Sequence, residues 1–114
     1  MADRFTNLDA AKKAMTLTPQ EQFLYQHHLN NLFGGGAVFN DDGSLSTVYQ
    51  ANVGIGDRHY NIPTVWQGHI LPIEQAINRV MKVGLDKYPS YGTPEEAEMR
   101  YQQMHAYMEK DLPY

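Results

Sequence analysis

Five histidines are the chain's first candidates for chemistry, and two of them, His27 and His28, are adjacent. Neighbouring residues of a helix point roughly 100° apart, so this pair cannot hold one ion together. A zinc site needs three or four ligands, so His59, His69 or His105 would have to converge on one of the pair. No H-E-x-x-H spacing is present to arrange that. The expectation is one semi-buried and one exposed histidine, with no metal. Gly34-Gly35-Gly36 follows a predicted helix instead of leading into one, which is the wrong polarity for a phosphate loop. Asn40-Asp41-Asp42-Gly43-Ser44 lacks the spaced ligands and closing glutamate of a calcium loop and reads as a solvated turn. Glu21, Glu74, Glu95, Glu96 and Glu98 fall in first helical turns or on exposed helical faces, where they favour the helix dipole. Ser44 and Ser46 stand in no G-x-S-x-G elbow. These residues assemble no catalytic set, so neither an enzyme nor a cofactor is expected.

The elements that must position any site are those of one small domain. The chain has 114 residues, enough for one modest core, and no cysteine, which excludes disulfides and thiolate chemistry. No apolar run reaches the ~20 residues of a membrane span or the length of a signal peptide, so a soluble chain without a membrane partner is expected. The formal charge of -4 argues against nucleic acid as the partner, since such domains carry a basic face. Eight tyrosines suit protein contacts, because tyrosine joins a rigid apolar body to a polar tip.

Residues 1–17 read as an N-terminal arm, with Leu8, Ala11 and Met15 at helical spacing, and residues 18–111 as a single α+β domain. Thr18-Pro19-Gln20-Glu21 is a capping box, behind which Leu24, His28, Leu29 and Leu32 share a face until the glycines stop the helix. A middle helix starts near Pro72, buries Ile73, Ala76, Ile77 and Val80, and stops at Gly84. Thr93-Pro94-Glu95-Glu96 repeats the capping device ahead of Ala97, Tyr101, Met104, His105 and Met108. Between the first two helices the period changes to two. Leu45, Thr47, Tyr49, Ala51 and Val53 alternate with Ser46, Gln50 and Asn52. Gly56-Asp57 then turns into Tyr60, Ile62, Thr64 and Trp66, and Gln67-Gly68 turns into His69-Ile70-Leu71. The expected architecture is a small three-stranded antiparallel meander with about three helices on one face. Pro63 lacks a ladder donor and is expected at a strand edge, a bulge, or where the neighbouring strand has ended. Tyr49, Tyr60 and Trp66 read as core. Tyr88-Pro89-Ser90-Tyr91 lies in a loop, where aromatic residues either make contacts or pack down on the sheet.

The pieces Gly43 through Thr47, Ile62-Pro63-Thr64-Val65, Ile70-Leu71, Thr93 through Ala97 and His105 form a combined pattern. It resembles a module of tailed-bacteriophage and prophage virion-associated proteins, over roughly residues 17–110. The resemblance implies a module usually set within longer phage proteins, sometimes beside lytic or peptidase domains, with no catalytic residues to carry over. The chain is then expected to be the module almost alone, a non-enzymatic structural or accessory protein. Its location would be the virion, or host cytoplasm during infection. Candidate contacts are Tyr88, Tyr91, Phe5, Leu8 and Arg58, toward other phage virion proteins or a host protein, and a homo-oligomer stays open. The alternatives are a small phage inhibitor of a host defence or metabolic protein, and a cell-wall-active accessory domain.

Overall fold

The computed structural model describes residues 16–112. Helix α1 spans Pro19–Gly34 and begins as its sequence dictates. The Thr18 hydroxyl accepts from the Glu21 amide at 3.1 Å, and the Glu21 carboxylate accepts from the Thr18 amide at 2.9 Å. The helix stops because Gly35 adopts φ +80°, a left-handed conformation costly for residues with a Cβ. Helix α2 spans Ile73–Val83, ahead of a 3-10 turn at Leu85–Lys87, and helix α3 spans Pro94–Glu109. The Thr93 hydroxyl accepts from the Glu96 amide at 3.1 Å. Here the reciprocal half of the box is shifted, because the Glu96 carboxylate accepts from the Gly92 amide at 3.2 Å.

The strands are β1 (Val38–Phe39), β2 (Leu45–Ser46), β3 (Ala51–Ile55), β4 (Arg58–Ile62), β5 (Val65–Trp66), β6 (His69–Ile70) and β7 (Ser90–Tyr91). The fold class is α+β, as the alternating periods imply. The single meander is not what forms. The strands separate into a β1-β2 ribbon, a three-stranded β3-β4-β7 sheet and a β5-β6 ribbon, all antiparallel. The hairpin between β3 and β4 matches the expected register, with Ile55 opposite Arg58 and Gly56 at φ +62° in the turn.

Two local events divide the remainder. Tyr49 adopts φ +44°, which breaks the predicted strand between Ser46 and Ala51 and leaves β2 to pair with β1. Pro63 follows the last residue of β4 and is fully buried. Beyond it, Gln67 (φ +52°) and Gly68 (φ +81°) close β5 and β6 into a separate tight hairpin. The place beside β4 goes to β7, with His59 opposite Tyr91 and Tyr60 opposite Ser90.

The helices cover both faces of the central sheet, where one face was expected. Ile62, Tyr60, Ala51 and Val53 pack on Ala76 and Val80 of α2. Asn61 points the other way, and its Nδ2 donates to the Ala97 carbonyl of α3 at 2.9 Å. Successive strand residues alternate faces, so β4 meets α2 on one face and α3 on the other. The second core joins α1 to α3 through Leu24, Val48, Met104 and Met108. Each fully buried aliphatic side chain in these clusters contributes about 1.5–3 kcal/mol relative to exposure.

Tyr88 anchors the α2 cluster at 2% exposure, with the Phe23 ring edge-on at a centroid distance of 5.3 Å. Replacement Tyr88→Ala is expected to destabilise the fold by roughly 3–5 kcal/mol, read as a lowered guanidinium midpoint. An unchanged midpoint would refute the core assignment.

Candidate functional site

Glu21, read from its position as a dipole-favouring surface residue, is fully buried. Its Oε1 accepts from Arg100 Nη2 at 2.5 Å and from the Thr18 amide, while Oε2 accepts from Arg100 Nε and from the Tyr91 hydroxyl, both at 2.7 Å. Arg100 also donates to the Thr16 carbonyl at 3.0 Å and to Gln103 Oε1 at 2.7 Å. Burial alone would raise the Glu21 pKa. The Arg100, Thr18 and Tyr91 donors outweigh it and hold the carboxyl below its ordinary value. Burial and the Glu21 charge together push the Tyr91 phenol up.

A second polar chain runs through His28, also fully buried. Its Nδ1 lies 2.5 Å from Thr47 Oγ1 and its Nε2 lies 3.2 Å from Asp111 Oδ2. Asp111 accepts further from the Tyr25 hydroxyl at 2.6 Å and from Lys110 Nζ. An ionised Asp111 selects the tautomer with the proton on Nε2, leaving Nδ1 to accept from the threonine hydroxyl. Hydroxyl, imidazole and carboxylate follow the order of a nucleophile, its base and an orienting group. Thr47 is 6% exposed, and its hydroxyl is engaged with the His28 ring within this chain of bonds. What the chain does for the fold is tie α1 to the segment after β2 and to the turn after α3. Neighbouring His27 donates to the Val65 carbonyl at 2.7 Å and lies edge-on to Trp66 at 4.7 Å. The expectation of one exposed histidine therefore fails, because both rings are held against the β segments.

Thr47 opens the wall of a cleft of about 530 Å³ between β2, the segment at residues 47–50 and α3. Gln50, Tyr49, Asp42, Tyr101 and Glu109 also line it. Alternation predicted Tyr49 inward and Gln50 outward. The left-handed turn at Tyr49 reverses that, so Tyr49 is 60% exposed and Gln50 only 6%. Gln50 Nε2 donates to the Tyr101 carbonyl at 3.4 Å, while its Oε1 is buried without a hydrogen-bond partner among the described residues.

Of the residues proposed from sequence as contacts, Tyr88 and Tyr91 are buried, which is the packed-down alternative for their loop. The Tyr91 hydroxyl donates to Glu21, so its polar tip is engaged within the chain. Arg58 is exposed, and its guanidinium donates to Ser90 Oγ at 3.1 Å and to the Ser90 carbonyl at 2.9 Å. Phe5, Leu8 and the rest of the arm through residue 15 lie outside the described residues. Among the described residues, no group of three or more histidine or acidic side chains is placed to hold a metal ion. None of their helices is long and apolar enough to cross a membrane. No family model, curated protein or solved structure matches the chain.

Removing Arg100 should leave a buried, unpaired carboxylate. Arg100→Ala is expected to cost about 3–5 kcal/mol by denaturant titration, and a paired Glu21→Leu, Arg100→Met variant to recover much of it. Equal losses in the single and double variants would contradict a coupled pair.

Burial lowers the pKa of both His27 and His28 from 6.5, against the opposing pull of Val65 and Asp111 respectively. The unfolded chain therefore binds protons that the folded chain resists, and stability rises with pH up to about 6.5. The melting temperature is expected to fall as pH drops from 7 to 5. Glu21 and Asp111, both held below their ordinary values, retain their stabilisation until the pH nears the carboxylate range. Calorimetry across this range with histidine proton shifts checks it, and a flat profile would exclude the linkage.

Proposed function

We propose that the chain is a non-enzymatic, virion-associated protein of a tailed bacteriophage that acts through protein-protein contacts. The virion reading rests on the sequence resemblance. The positions that carry the resemblance have structural work in this fold: Gly43 turns at φ +86°, Ile62 through Val65 are buried, and Thr93 caps α3. A module whose shared residues maintain backbone geometry suits a scaffold better than a reaction centre.

The observation that carries the contact role is a pair of exposed phenyl rings. Phe33, in the last turn of α1, is 80% exposed, and Phe39, on β1, is 81% exposed. Between them in sequence run the three glycines, and the Gly36 carbonyl accepts from the Gly68 amide of the β5-β6 turn at 3.0 Å. Exposed aromatic residues are characteristic anchors of protein interfaces. The location follows as the particle, or the host cytoplasm during infection.

Mass spectrometry of purified particles is expected to detect the protein. A Phe33→Ala, Phe39→Ala double variant should lose incorporation while its stability changes by less than about 0.5 kcal/mol, as for ordinary surface substitutions. Absence of the wild-type protein from particles would refute the virion assignment. A single stoichiometric partner captured from host lysate would turn the reading toward a host inhibitor.

A further inference from the structure

The cleft beside Gln50 is built for something that donates hydrogen bonds. The Gln50 amide is oriented by its Nε2 bond to the Tyr101 carbonyl, which leaves Oε1 as a buried acceptor with no partner among the described residues. Such a group costs about 1–3 kcal/mol unless a donor reaches it. The cleft adds two carboxylates, Asp42 and Glu109, and among the described residues no lysine or arginine lines it. Asp42 accepts from the Ser44 amide and hydroxyl, while Glu109 lies 2.8 Å from His105, and both carboxylates are exposed. Donors that also line the cleft are engaged within the chain, with Asn40 Nδ2 on Ser44 and Ser46, Ser44 Oγ on Asp42, His28 with Thr47, and His105 with Glu109. The carboxylate and amide oxygens, by contrast, accept only, so the matching ligand is one that donates. The Tyr49 and Tyr101 rings on the same walls offer faces that attract cations.

The geometry points to a socket for an arginine side chain presented by a partner polypeptide. A guanidinium has five donors in a planar fork, which lets one group address Gln50 and a carboxylate while stacking on tyrosine. A sugar hydroxyl both donates and accepts, and would leave its own acceptors facing carboxylates. The cleft volume of about 530 Å³ accommodates the side chain with its flanking backbone. This inference deepens the reading of the chain as a protein-contact module and rests on that reading, but it concerns a surface other than Phe33 and Phe39.

The test titrates the isotope-labelled full chain with three probes while recording side-chain NMR spectra. They are acetyl-Gly-Arg-Gly-amide, its neutral citrulline counterpart, and a trimer of N-acetylglucosamine. The arginine peptide should shift the Gln50 side-chain amide and the Tyr49 and Tyr101 ring signals, with a dissociation constant of roughly millimolar order, as one side chain alone permits. Gln50→Leu should weaken this by about tenfold, the scale of one charge-assisted hydrogen bond, while leaving the melting temperature unchanged or raised. Asp42→Asn combined with Glu109→Gln supplies a second loss on exposed positions. Equal binding of the citrulline peptide, saturation of the same signals by the sugar, or no shift at Gln50 with any probe would each overturn the socket. A protein that enters particles yet ignores the arginine peptide refutes the socket alone and leaves the contact function standing.

Discussion

One buried carboxylate ties three separate elements together. Glu21 accepts four hydrogen bonds from three directions: the cap of its own helix, Arg100 on α3, and Tyr91 on β7. A charge with no access to water is tolerated only when its lone pairs are met by well-placed donors. That requirement fixes the crossing of α1 and α3 more tightly than apolar contacts would, because aliphatic side chains can slide where a bidentate arginine cannot. It also places β7. The two-residue strand pairs with β4 through His59 and Tyr60, and its tyrosine is anchored behind it by the carboxylate. Through β7 the 3-10 turn is drawn in, and with it Tyr88, the largest fully buried side chain of the α2 core.

Tyr49 imposes the second constraint. A left-handed conformation at a residue with a bulky side chain costs on the order of 1–3 kcal/mol and persists only where surrounding bonds enforce it. Here the Val48 carbonyl accepts from the Thr64 amide at 2.7 Å and the Val65 amide at 3.2 Å, while the Tyr49 carbonyl accepts from the Thr64 hydroxyl at 2.7 Å. These bonds turn the chain where a straight strand would continue. Val48 enters the α1-α3 core, Tyr49 faces outward and Gln50 turns in. The cleft is a consequence of this kink, since a regular strand would have kept Gln50 in solvent.

The three helices and the β3-β4 hairpin were legible in the residues because local rules govern them. Thr-Pro starts, glycine stops and a Gly-Asp turn act over three or four positions and do not depend on distant partners. The sheet order was less legible, because β7 has only two residues and no periodicity to announce it, and its pairing depends on an anchor 70 positions away in sequence. The polar network was illegible for a related reason. Glu21 in a capping box looks like a surface residue in every respect except that Arg100 happens to face it. Gln50 was misassigned by strict alternation, which holds only while the backbone stays extended. No property of Tyr49 itself indicates a left-handed turn, whereas the glycines at positions 35, 56 and 68 advertise theirs.

The residues on which the proposed virion reading rests and the residues exposed for contact are largely separate sets. Gly43 sets a turn, Pro63 follows the end of β4, and Thr93 and Pro94 start α3. Selection for the fold alone would account for them. It would not account for Phe33 and Phe39, whose rings add little to either core, nor for a buried acceptor at Gln50 that no described residue satisfies. A leucine at position 50 would fill the same space without an unmet oxygen, and a polar residue at 33 or 39 would favour solubility. Features that a purely structural sequence would lose most readily are the ones where function is to be sought. Among the described residues they include the exposed rings of Phe33 and Phe39, on either side of the glycines, and the acceptor-rich cleft beside the kink at Tyr49.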